Sequence, residues 1–161
     1  MAHKTRMETV MNENIVFKYH CTDFKNICLH DAVVSNISYD ENHIDFYLEN
    51  GLTLVKTESR TPNALIRVKV KPEDINVYLS TQQKSIFLHM EKYKTKNVSL
   101  EQLSDFLTNS SKIEIIDCLA GILNSSIWRC MSLNTSRKNA FTYFEIQFNP
   151  IAKIEYDIFY N

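Results

Sequence analysis

His30 and Asp31 stand side by side where an apolar run begins, in CLHDAVVSNISY. An imidazole that titrates near neutrality beside a carboxylate is the material of a general base or of a metal-ligand set. His20, Cys21 and Cys28 come just before, so HCx6CxH holds four residues of the kinds that bind zinc. Structural zinc pairs usually leave only about two to four residues between ligands. The wider spacing here predicts no metal and no cofactor. The other two cysteines, Cys118 and Cys130, have eleven residues between them, and neither pair is CxxC. Buried, reduced thiols are the expectation.

The residues after the His-Asp pair decide how it reads. Ala32 to Tyr39 is rich in β-branched residues, and neighbours on a strand point to opposite faces, which keeps His30 and Asp31 apart. The expectation is structural: one side chain bonds backbone at the strand entrance and the other packs or meets solvent. The alternative is a small metal-dependent hydrolase using His30 and Asp31. The dipeptide resembles that of the HD phosphohydrolases, but those carry it on a helix among further helical ligands. His43 falls in a turn, His89 among apolar neighbours in SIFLHMEKY, and His3 in the N-terminal stretch. No serine lies in GxSxG or SxxK. With two glycines and three prolines in 161 residues, a glycine-rich phosphate loop is excluded.

The elements that must carry these residues alternate with period two. Ile15, Phe17 and Tyr19 form one apolar set, and Ile44, Phe46 and Leu48 another. AVVSNISY and HIDFYLEN predict a hairpin closed by Asp40, Glu41 and Asn42, before Asn50 and Gly51 turn the chain again. Leu65 to Val70, INVYLS and SIFLHMEKY predict a second meander, with Pro72 marking a strand end. In NVSLEQLSDFLTNSS, Ser99 and Gln102 have capping-box spacing, which predicts a helix over 99–109 with Leu100, Leu103, Phe106 and Leu107 on one face. KIEIIDCLAGIL, SSIWRCMSL, AFTYFEIQF and KIEYDIFYN then read as strands, with the loop NTSRKN between the second and third of these. The fold expected is α+β: about seven to nine strands of mainly antiparallel sheet, as a meander or half-barrel, with one docked helix. Residues 1–11 read as a flexible extension and 12–161 as a single domain.

Charge sorts along the chain. Eighteen basic against nineteen acidic residues give a net charge of −1, which supplies no global field toward nucleic acid or anionic lipid. No run is long enough for a membrane span and no secretory leader is apparent, so a cytoplasmic protein is expected. Arg67, Lys69 and Lys71 alternate with valines, and Lys92, Lys94 and Lys96 repeat the arrangement. Asp45 and Glu49 sit in the first hairpin with no Lys or Arg between Asp40 and Asn50. Tyr47, Tyr78, Tyr93 and Tyr143 occupy positions where alternation turns them outward, and tyrosine is a favoured interface anchor. Trp128 reads as core, with Arg129 projecting to the other face.

LHDAVVSNISYDENHIDFYLENG, over Leu29 to Gly51, resembles the opening of small bacterial β-rich proteins that begin with Phe or Leu, then His-Asp, then a hairpin. FEIQFNPIAKIEYDIFY resembles their closing strands. Some of those proteins resemble immunity partners of polymorphic toxins. The resemblance implies a non-enzymatic module that neutralises a bacterial protein. The residues expected to contact it are Arg67, Lys69, Lys71, Lys92, Lys94, Tyr93, Asp45, Tyr47 and Glu49, on a charged, tyrosine-bearing sheet face. Nucleic-acid binding through the basic strand faces is the third alternative, disfavoured by the net charge.

Overall fold

The computed structural model describes residues 16–21, 26–83, 92–109, 111–120, 126–133, 142–148 and 155–160. The chain runs through β1 (Val16–Cys21), β2 (Ile27–Cys28), β3 (Ala32–Tyr39), β4 (Ile44–Leu48), β5 (Thr53–Leu54), β6 (Ser59–Arg60) and β7 (Ala64–Lys69). A three-ten turn at Pro72–Asp74 leads to β8 (Ile75–Gln83) and β9 (Lys92–Val98), then to helix α1 (Leu100–Thr108). Strands β10 (Ile113–Ala120), β11 (Ser126–Ser132), β12 (Thr142–Phe148) and β13 (Glu155–Tyr160) complete the chain.

Ten strands form one open sheet in the order β1-β13-β7-β4-β3-β10-β11-β12-β8-β9, antiparallel throughout, and β2, β5 and β6 form a small second sheet. Thirteen strands among the described residues exceed the seven to nine expected, and three of them, β2, β5 and β6, are two-residue ladders too short to leave a period. The second meander is also corrected. β7 lies between β13 and β4, whereas β8 lies between β12 and β9. The Pro72 turn carries the chain from one half of the sheet to the other. The strand expected at SIFLHMEKY falls mostly outside the described residues, and the one observed there begins at Lys92. Residues 1–15, including His3, and the loop NTSRKN lie outside them as well.

The sheet bends back on itself. Phe46 on β4 and Phe148 on β12 are four strand positions apart, roughly 19 Å along a flat sheet. Their ring centroids are 6.4 Å apart, and Trp128 lies 4.8 Å from Phe46 and 5.2 Å from Phe148. The bend falls at the seam between β3 and β10, which pair only over Ala32–Val34 and Ile113–Ile115. Register shifts at Val34/Asn36 and Ile115/Asp117 flank this seam, and such bulges sharpen strand twist. Two leaves result, β1-β13-β7-β4-β3 and β10-β11-β12-β8-β9. Between them Phe46 meets Trp128 and Phe148, and Ile66, Ile158 and Ile146 belong to the same core, all essentially inaccessible.

Two local predictions hold at atomic detail. Ser99 Oγ accepts from the Gln102 backbone N–H while the Ser99 N–H donates to Gln102 Oε1, so the capping box starts α1 where the spacing placed it. Leu100, Leu103 and Leu107 are buried, and the Phe106 ring lies 4.9 Å from Phe144. In the β3–β4 turn, Asp40 Oδ1 accepts from the backbone N–H groups of Asn42 and His43 at 2.8 and 3.0 Å. Gly51 has φ +68°, and a Cβ there would sit 1.9 Å from the Thr61 carbonyl oxygen, so only glycine fits.

Candidate functional site

His30 and Asp31 do converge, against the strand argument. Asp31 has φ +63° and sits in the turn between β2 and β3. Off the strand, the opposite-face rule does not apply, and His30 Nδ1 meets Asp31 Oδ1 at 2.8 Å with both side chains about 60% exposed. Among the described residues, neither side chain bonds backbone at the strand entrance. Asn50 Nδ2 and Arg60 Nη2 donate to the Asp31 carbonyl at 2.8 and 2.7 Å, and Asn50 Oδ1 accepts from the Val33 N–H. Asn50 and Arg60 therefore hold the entrance. Among the described residues no three His, Cys, Asp or Glu side chains are grouped to hold a metal ion.

The thiols differ by position. Cys28 is exposed, not buried as expected, because it alternates with buried Ile27 and Leu29 and faces the other way. Cys130 is fully buried and Cys118 half-buried; burial, with Asp117 nearby, pushes the Cys118 thiol up to about 12, and burial raises Cys130 too. Both stay protonated at neutral pH.

The first basic stripe is neutralised inside its leaf. The register sets Arg67 between Asp45 on β4 and Asp157 on β13, and Lys69 opposite Glu155. Arg67 Nε and Nη2 each donate to an Asp45 carboxylate oxygen at 2.8 Å, a bidentate fork onto a buried carboxylate. The guanidinium carbon lies 5.8 Å from the Phe159 ring centroid. Lys69 Nζ is 3.0 Å from Asp157 and 3.7 Å from Glu155. Lys71 lies beyond the strand, 3.8 Å from Glu73, and Glu49 is paired with Lys112 at 2.7 Å. Tyr47 is half-buried, with its hydroxyl 3.3 Å from Ser38 Oγ. Asp157 and Glu155 had a readable signal, their alternation in IEYDIFY, but nothing in the sequence set β13 beside β7.

The second stripe lies at the edge of the sheet. β9 is an edge strand, paired to β8 from Val77/Val98 to Gln83/Lys92. Tyr93 to Asn97 are five consecutive exposed residues. Lys94 and Lys96 have no ion pair among the described residues. They share the strand face of Val98, whereas Tyr93, Thr95 and Asn97 face the other way. Thr95 Oγ1 lies 2.7 Å from Ser80 Oγ, and Tyr93 meets Tyr143 edge to face at 6.0 Å with Tyr93 48% exposed. Charge and tyrosine thus occupy opposite faces of one strand. The Lys92 side chain lies outside the description.

A surface recess lined by Tyr39, Pro72, Ile75, Val98, Ser99 and Glu101 lies beside the start of α1. Ser99 already satisfies an amide there, and Glu73 and Glu101 make the recess acidic. No helix among the described residues is long and apolar enough to cross a membrane. No family model, curated protein or solved structure matches the chain.

Proposed function

We propose that the chain is a non-enzymatic protein-recognition module that engages its partner along β9 and the neighbouring outer surface of β8 and β12. The observation that carries this reading is Tyr93: a half-exposed aromatic on an edge strand that also bears Lys94 and Lys96, braced by Tyr143, with neither lysine in an ion pair among the described residues. A braced tyrosine buries large area at little entropic cost, and unneutralised lysines steer an acidic partner. In this reading α1 is docked on β3 as a support. The resemblance of the Leu29 to Gly51 stretch to immunity-type bacterial proteins makes an inhibitor of a bacterial protein the particular class proposed, acting in the cytoplasm.

The test is capture of the partner from the source cells, followed by kinetics with variants. Tyr93→Ala should speed dissociation, while Lys94→Glu with Lys96→Glu should slow association and flatten its salt dependence. Unchanged kinetics in both would overturn the reading. So would phosphoester turnover that His30→Ala abolishes in a folded protein, which would establish the hydrolase alternative.

A further inference from the structure

We propose that β9 is an acceptor edge: an extended acidic segment of the partner adds to it as a further strand, carboxylates on the Lys94 and Lys96 side and uncharged residues on the Tyr93 side. This rests on the recognition function above and specifies its mode. An edge strand presents every second backbone N–H and C=O outward, and among the described residues no strand pairs with that side of β9. Another extended backbone can replace the water on such a row bond for bond. Lysines on an edge ordinarily repel stray strands. Here they select, because among the described residues no carboxylate pairs with Lys94 or Lys96, while Arg67, Lys69, Lys71, Lys112 and Arg129 each have one.

The two faces dictate the sequence of the guest. Side chains of an added strand alternate in step with those of β9, so acids at alternate positions meet the lysines. The intervening residues pass over Tyr93, Thr95 and Asn97 and must be uncharged. A second copy of this chain is a poor occupant, since edge-to-edge pairing of β9 with itself gathers lysines from both copies. A nucleic-acid strand offers phosphates to the lysines but nothing that alternates donor and acceptor along the edge.

The experiment uses the full chain and a short labelled peptide in which glutamate alternates with valine and threonine. A second peptide has the same composition with its glutamates in one block. The alternating peptide should bind more tightly, protect alternate amides of residues 93–97 from hydrogen exchange, and lose about fivefold or more in affinity with Lys94→Glu and Lys96→Glu together. No binding, equal binding of the blocked peptide, or binding without alternate-amide protection overturns the inference. Equal binding of a single-stranded oligonucleotide, or self-association of the chain through β9, overturns it as well. The recognition function fails separately, only if the captured partner ignores Tyr93→Ala and the lysine reversals.

Discussion

β7 and β9 carry the same sequence device, basic residues at alternate positions, and the fold treats them in opposite ways. On β7, Arg67 and Lys69 lie between β4 and β13, whose facing positions supply Asp45, Asp157 and Glu155. On β9, Lys94 and Lys96 lie on the last strand of the sheet, opposite Thr81 and Leu79. Alternation determines which face a charge takes, and strand order determines whether that charge is already spent. The β7 stripe is therefore structural in its energetics, and Lys94 and Lys96 on β9 make no ion pair among the described residues.

The largest effect that can break this contrast is at Arg67. Arg67→Ala leaves Asp45, a buried carboxylate, without the fork that satisfies both its oxygens, and should cost about 2–3 kcal/mol in urea unfolding. The double variant with Asp45→Asn should recover part of the loss, because the charge left unpaired is then gone. Arg67→Ala as stable as wild type would mean the pair is ornamental and the β7 stripe as available as the β9 one. Charge reversal at Arg67 is accordingly a poor probe of partner binding, since unfolding and lost recognition would look alike.

A smaller loss is expected at the joint between β9 and α1. Ser99→Ala removes one half of the capping box and should cost about 1 kcal/mol, with faster amide exchange in α1. If exchange in β9 also rises while the β7 pairings stay protected, the edge strand depends on the helix that comes after it. Smaller again, Lys94→Glu and Lys96→Glu should each change stability by no more than about 0.5 kcal/mol, as for surface substitutions that touch no partner. A loss comparable with that of Arg67→Ala would sink the contrast from the other side.

How much of this could be read beforehand depends on the range of the interactions. Ser99 with Gln102, and Asp40 with the amides of Asn42 and His43, are bonds between residues two or three apart, and their spacing displays them. The β3–β4 hairpin is nearly as local. Asp45 with Arg67 spans 22 residues, and Lys112 with Glu49 spans 63. The first depends on β7 returning to pair with β4, and the second crosses the β3–β10 seam, where Lys112 leads into β10. The His30–Asp31 contact was missed for a different reason. A left-handed residue just before a strand is not visible in a pattern of apolar alternation, so two side chains assigned to opposite faces meet in a turn.

The smallest effect concerns pH. Some burial pushes the Asp40 carboxyl upward, but the N–H groups of Asn42 and His43, with the charges of His43 and Arg67, hold it net below its ordinary 3.8. A carboxyl depressed in the folded state stabilises the fold above its unfolded value, and the contribution fades as the pH falls through the lower folded value. Asp40→Asn should therefore flatten the acid side of the stability profile, below about pH 4, and leave its neutral side parallel to wild type. Asp40 is more than half exposed, so the change must be small beside that of Arg67→Ala. Its value lies in the position: Asp40 bonds the His43 ring at 3.0 Å, and His43 Nε2 reaches within 3.7 Å of Asp45. If Asp40→Asn also weakens the response to Arg67→Ala, the turn and the β7 stripe form one network in the first leaf. If the two variants add independently, the neutralised stripe is confined to the strands, and the contrast with β9 rests on register alone.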